Sequence, residues 1–90
     1  MRKSLDVTVT GRVQGVSFRW YAEQEARRLG VAGWVSNEPD GSVAAHLEGD
    51  AAAVDLLVDW CRTGPRLAYV ERVDVRTAAD ERATTFVIRG

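Results

Sequence analysis

The chain has 90 residues, 46% hydrophobic and 28% charged, with 12 basic residues set against 13 acidic ones. A chain this short buries only roughly 60–65% of the surface its unfolded form exposes, so length and composition predict one domain over residues 1–90 and exclude a disordered or fibrous protein. A net charge of -1 gives no field to draw in a polyanion or coat a membrane, which speaks against nucleic-acid and membrane partners.

The N-terminus carries Arg2 and Lys3 but then alternates apolar and polar residues, unlike a secretory signal, and no long apolar run occurs anywhere. Leu5, Val7 and Val9 alternate with Asp6, Thr8 and Thr10, the period of a half-buried strand. A glycine-bearing loop, GRVQGVSFR from Gly11 to Arg19, follows. Phe18, Ala22, Ala26 and Leu29 then recur at helical spacing, opposite Glu23, Gln24, Arg27 and Arg28, and Gly30 closes the helix. Val31 to Ser36 and Ser42 to Glu48 read as a hairpin joined by Asn37-Glu38-Pro39-Asp40-Gly41, whose proline and Asp-Gly form turns. Asp50 caps a second helix with the apolar stripe Val54, Leu57, Val58 and Cys61, closed by Gly64 and Pro65. The lone Cys61 reads as core filling; it excludes an internal disulfide and a multi-cysteine zinc site and fits a reducing, cytoplasmic compartment. Ala68 to Arg76 alternates again with a slip of register near Glu71-Arg72, Thr77 to Ala83 is a loose polar connection, and Thr84 to Arg89 is a last short strand.

The order is β-α-β-β-α-β plus a short C-terminal strand. This predicts an α+β fold, a ferredoxin-like α/β sandwich, with a mostly antiparallel sheet and both helices on one face.

The loop lies where a strand runs into a helix, so unpaired N–H groups and the positive end of the helix dipole face one point. Gly11 and Gly15 permit backbone conformations closed to other residues, and the N–H groups of Gln14, Gly15, Val16, Ser17 and Phe18 can converge into an anion nest. Arg19 adds a planar, permanently charged fork suited to a phosphoryl group. The loop lacks the Gly-Lys-Ser/Thr of a Walker A motif and the third glycine of a dinucleotide fingerprint. By spacing alone it reads equally as a plain strand-to-helix connection with a solvated Arg19.

GRVQGVSFR, then GWVSNEPDGSV at Gly33 to Val43, Glu48-Gly49, and GPRLAYVERV at Gly64 to Val73, together resemble the acylphosphatase family over essentially the whole length. That resemblance implies that the first motif binds phosphate through its backbone and Arg19, and that Asn37 positions the attacking water. It implies a hydrolase of small acyl phosphates; the residues themselves call for no metal and no cofactor, so a metal-independent enzyme is expected, and nothing in the sequence demands more than a monomer.

The residues present suit that chemistry. Asn37 can orient water but cannot take its proton at neutral pH. Neither motif holds a histidine, cysteine or metal-ligand cluster to protonate a poor leaving group. A carboxylate, with a conjugate-acid pKa of about 4, leaves unaided where an alkoxide would not. Acyl phosphates are therefore favoured over phosphate monoesters.

Other residues have simpler readings. Ser17, just ahead of a helix, reads as an N-cap before a nucleophile. His46, the one histidine, reads as a solvated or packed side chain before a catalytic base. Trp34 is expected in or beside the core, with Trp20 and Trp60 covering helix flanks. The competing functions are a non-catalytic phosphate- or metabolite-sensing module using the same loop, and an RNA-binding ferredoxin-like domain, which the lack of a basic face and an RNP-type motif disfavours. An origin as the leading domain of a larger carbamoyl-transfer protein is disfavoured by the absence of zinc-finger cysteines.

Overall fold

The computed structural model describes residues 1–90. Its elements are β1 (Arg2–Arg12), α1 (Phe18–Leu29), β2 (Ala32–Asn37), β3 (Val43–Asp50), α2 (Ala51–Thr63), β4 (Tyr69–Thr77) and β5 (Phe86–Arg89). The five strands form one sheet in the order β4-β1-β3-β2-β5. Its β1–β3, β1–β4 and β2–β3 pairs are antiparallel, and β2–β5 is parallel. This is the ferredoxin-like arrangement expected, with the last strand added at the β2 edge.

The period-two alternation decides which face is buried. Leu5, Val7 and Val9 of β1, Val35 of β2, and Val43, Ala45 and Leu47 of β3 point to the same side as the apolar stripes of α1 and α2, and together they form the core. Burying a valine or leucine side chain removes it from water at a gain of about 1.5–3 kcal/mol, which fixes both the face and the register.

The structure extends or corrects four expectations. β1 starts at Arg2 rather than Leu5, because Arg2, Lys3 and Ser4 pair with Asp50, Gly49 and Glu48 through backbone groups that an apolar pattern does not reveal. The slip in β4 is real: Thr10 faces Arg72 and Gly11 faces Val70, leaving Glu71 unpaired as a bulge. Gly11 sits there at φ +132°, and a Cβ on it would collide with the Tyr69 carbonyl and lie 2.8 Å from the Glu71 nitrogen. The bend lies just before the anion loop.

Thr77 to Ala83 is not loose. Thr77 closes β4, and the backbone N–H groups of Glu81 and Ala83 both donate to the Glu48 carboxylate, while Asp80 pairs with Arg2 at 2.6 Å. This connection crosses the sheet face opposite the helices. Trp34 lies on that open face too, outside the main core, stacked between the His46 ring and the Arg89 guanidinium. Trp60 packs on Phe18 at 5.3 Å and is half-buried against the core, and Cys61 fills the core as expected.

Candidate active site

The loop between β1 and α1 is pinned at both ends by the core, since Val13 and Phe18 are almost fully buried while Gly15 and Ser17 are exposed. Between these anchors the backbone turns left-handed twice, at Gly15 (φ +74°) and at Ser17 (φ +62°). Glycine takes that conformation freely; serine does so at a steric cost of order 1–3 kcal/mol, which persists only where surrounding structure enforces it. The alternation turns successive N–H groups to one side of the chain, which is the geometry of an anion nest.

Those N–H groups are free. No internal hydrogen bond engages the backbone N–H of Gln14, Gly15, Val16 or Ser17, and the first turn of α1 begins its ladder with the Tyr21 N–H donating to the Ser17 carbonyl at 3.1 Å. The first helical N–H groups, from Phe18 onward, therefore add their donors and the dipole of the helix N-terminus. Ser17 occupies the N-cap position, but its hydroxyl makes no capping hydrogen bond, because its left-handed backbone points the side chain elsewhere. The expected side-chain cap is absent.

Arg19 is half-buried, forms no ion pair with any carboxylate, and donates from Nη1 to the Arg89 carbonyl of β5 at 3.4 Å. A guanidinium has five N–H donors, so most remain for a ligand. Asn37 ends β2, opposite Val43, and its side-chain amide bonds to no protein group. The turn after it is held from within. The Asp40 carboxylate accepts from the Ser42 N–H at 2.9 Å and from its hydroxyl at 2.6 Å, and these bonds hold the Asp40 carboxyl below the usual carboxylate range. Glu38 N–H donates to the Ser42 carbonyl, and Gly41 N–H to the Glu38 carbonyl.

One residue has a part that sequence reading missed. The Gln14 side-chain amide donates to the carbonyls of Glu38 at 2.8 Å and Ser42 at 2.9 Å, tying the anion loop to the turn that carries Asn37. The signal in the sequence was a glutamine where only a backbone donor was needed; its partners, 24 and 28 residues on, could not be read.

Gly15, Ser17, Arg19 and Asn37 line one open cavity of about 380 Å³, floored by Val13 and Phe18 and bordered by Trp20 and Ile88. Two separate motifs thus contribute to a single concavity, with free N–H donors and a cation on one element pair and a free amide on another. Such a set can bind an anion of several oxygens and hold a water beside it.

His46 and Glu48 form a second polar cluster, on the open face of β3 away from this cavity. His46 is 1% exposed and Glu48 0%, and they meet at 2.6 Å, while the other ring nitrogen of His46 lies 2.7 Å from Asp6. Burial disfavours the imidazolium, but the carboxylates of Glu48 and Asp6 outweigh it and raise the His46 pKa above its ordinary value. Burial also opposes the charge on Glu48, yet His46 and the N–H groups of Glu81 and Ala83 hold its carboxyl below the ordinary range. Potential metal-ligating atoms of His46, Glu48 and Glu81 lie within 4.8 Å of one another. Arg2, His46 and two backbone N–H groups already occupy the Glu48 oxygens, so this is a structural clip whose acceptors are filled. Of the two readings for His46, packing holds.

Comparison with known proteins agrees with the geometry. The sequence model of the family described as Acylphosphatase matches residues 5–88. An acylphosphatase of a Nocardioides species is 66% identical over 99% of this chain and 90% of its own length. Among solved structures, an acylphosphatase from Bacillus subtilis superposes with a TM-score of 0.94 at 33% identity, covering 100% of both chains. One from Coxiella burnetii gives the same TM-score and identity over 98% of this chain and 93% of its own.

Proposed function

The chain belongs to the acylphosphatase family, and from that premise we propose that Arg19, the backbone of Gln14 to Phe18 and Asn37 together perform its reaction, the hydrolysis of small acyl phosphates. The single observation that carries these roles is the convergence of an unpaired guanidinium, unengaged loop N–H groups and an unengaged asparagine amide on one cavity. The phosphoryl oxygens accept from the loop and from Arg19, which neutralises charge spread over them as the transition state develops. Asn37 holds a water by its amide and directs an oxygen lone pair at phosphorus. As the new P–O bond forms, the bond to the acyl oxygen breaks with its electron pair, and the carboxylate departs as an anion. The proton of the water passes to a phosphoryl oxygen, since no side chain in the cavity is a base at neutral pH. The products are a carboxylate and inorganic phosphate.

No side chain lining the cavity is a general acid, and a carboxylate needs none to depart, which favours acyl phosphates over phosphate monoesters. On this reading the protein acts as a monomer over residues 1–90, in the cytoplasm; an unpaired, buried Cys61 suits a reducing compartment. No helix is long and apolar enough to cross a membrane.

The test is hydrolysis of acetyl or benzoyl phosphate, compared with a phosphate monoester, in the presence of a chelator. Arg19→Ala is expected to lower kcat/KM by on the order of 10²–10³ and to weaken inhibition by inorganic phosphate in parallel. Asn37→Ala should lower kcat by on the order of 10²-fold while leaving phosphate inhibition within about threefold of wild type. Equal loss of phosphate affinity in both variants contradicts this division of roles.

A further inference from the structure

The phosphate and water account for only part of the cavity. Four phosphate oxygens and a water, at about 10–15 Å³ of cavity space each, fill roughly 50–75 Å³. More than half of the 380 Å³ is left for another part of the substrate.

That remaining space has an apolar border of a definite kind. Val13 and Phe18 are buried beneath the loop and present little surface to the cavity. Trp20 and Ile88 are different: they keep 53% and 40% of their surface exposed while lining the same opening. They come from different parts of the chain, Trp20 from the first turn of α1 and Ile88 from the end of β5, where it pairs with Val35. Other large apolar side chains on the surface, such as Leu56 and Tyr69, border no cavity. The Trp20 indole is also held in place, since the Tyr21 ring meets it edge-on at 5.0 Å and 88°. A braced indole offers a flat apolar face at small entropic cost.

The cavity border carries one cation, Arg19, which the phosphoryl group engages. The Arg89 side chain lies instead over the Trp34 ring at 4.3 Å, on the open face of the sheet. Nothing along the Trp20–Ile88 border matches a second charge on the acyl group.

Building on the reaction proposed above, we infer that Trp20 and Ile88 form the acyl-group subsite of this chain, selecting acyl phosphates with an aromatic or branched apolar acyl group over acetyl phosphate. A phosphoryl group anchored on the Gln14–Phe18 loop leaves its acyl substituent within reach of the residue directly after Arg19. An acetyl group is too small to cover the indole, whereas a phenyl ring or branched chain can lie against it and Ile88 together. Contact of this kind discriminates by about tenfold or more per well-placed apolar group. Because it acts on the acyl group alone, it leaves phosphate binding untouched.

A second cavity, of about 370 Å³, adjoins the other side of Ser17 and is lined by Tyr21, Arg66 and Leu67 among others. It holds neither Arg19 nor Asn37, so an acyl group lodged there would not be joined to a phosphoryl group at the water.

The experiment measures kcat/KM for benzoyl phosphate and for acetyl phosphate, with inhibition by inorganic phosphate, in wild type, Trp20→Ala, Ile88→Ser and Leu67→Ser. Comparing the benzoyl/acetyl ratio between proteins cancels the intrinsic reactivity of the two substrates. The expected result is a ratio lowered about tenfold by Trp20→Ala and about threefold by Ile88→Ser, with the phosphate inhibition constant within about twofold of wild type. Leu67→Ser should keep the wild-type ratio. All three side chains are at least 40% exposed, so the variants should fold. A ratio unchanged in both Trp20→Ala and Ile88→Ser, a ratio moved by Leu67→Ser instead, or a loss of phosphate inhibition equal to the change in ratio overturns the subsite while leaving the reaction intact. Absence of hydrolysis of either substrate by the wild type overturns the reaction and the subsite with it.

Discussion

Gln14→Met tests whether the two halves of the site are coupled through a side chain. The substitution keeps the length and flexibility of glutamine and removes its two donors, leaving the carbonyls of Glu38 and Ser42 without the bonds now made at 2.8 and 2.9 Å. A net hydrogen bond contributes about 0.5–1.5 kcal/mol, and both carbonyls are part-buried, so a loss of about 1–2 kcal/mol in stability is expected. The turn itself keeps its own bonds, through Asp40 to Ser42 and Glu38 to Ser42, so it should move as a unit relative to the loop rather than unravel. Asn37 moves with it. A displacement of about 1 Å at a positioning group costs up to 10²-fold in rate, and with the β2–β3 pairing still in place a fall of about tenfold in kcat is the expected size. The free N–H groups proposed to bind phosphate remain between the buried anchors Val13 and Phe18, so inhibition by inorganic phosphate should change by less than about threefold. Steady-state kinetics with benzoyl phosphate, phosphate inhibition and a urea melt read all three quantities. A wild-type kcat in Gln14→Met, or a phosphate inhibition constant weakened as much as kcat, refutes the coupling.

Three further outcomes follow from other parts of the molecule. The His46 pKa is raised in the fold, so its contribution to stability is full below the unfolded value of about 6.5 and is lost as pH rises through the higher folded value. Wild type should therefore lose thermal stability from neutral toward alkaline pH more steeply than His46→Gln, and parallel Tm profiles would exclude the charged pairing. Gly11→Ala forces a Cβ onto the Tyr69 carbonyl at φ +132° and should cost about 2–3 kcal/mol, lowering Tm by roughly 10–20 °C in a calorimetric scan; a Tm within a few degrees of wild type would mean that β1 and β4 pair without the bulge. Burial pushes the Cys61 thiol up to about 12, so iodoacetamide at pH 8 should leave it unlabelled in the folded protein and label it in denaturant.

Periodicity made the architecture legible because the helix-facing side of the sheet is purely apolar. Leu5, Val7 and Val9 could be placed from spacing alone, and so could Val54, Leu57, Val58 and Cys61. The open face was not legible, because its order comes from long-range polar bonds. Glu48 enters the sequence reading only as a strand end and part of a motif, yet it is fully buried by partners drawn from Arg2, His46, Glu81 and Ala83, and no local pattern announces that set. Trp34 was misplaced for the same reason: alternation puts it opposite Val35, and only the pairing with His46 and Arg89 shows what covers it. In the site, spacing alone left the loop undecided and only the family resemblance pointed to Asn37; what the structure adds is that Gly15, Ser17, Arg19 and Asn37 line one cavity. The role of the Gln14 side chain was not legible, since it depends on how close β1 brings the loop to the β2–β3 turn.

These two faces of the sheet bear on one another through β5. The Glu48 carboxylate holds the connection that leads into β5 by two backbone N–H groups, and β5 in turn offers the Arg89 carbonyl to Arg19 and sets Ile88 at the cavity. A four-residue edge strand paired on one side only is weak by itself. Its position comes from the burial of Phe86 in the core, from the Glu48 clip before it, and from the stacking of Arg89 on Trp34 within it. The buried His46–Glu48 pair, away from the cavity, thus adds a second anchor, through Glu81 and Ala83, to the strand against which Arg19 rests. An ion pair whose desolvation makes it a poor source of net stability is reasonable at that position, since what it supplies is a further fixed point for a weak edge.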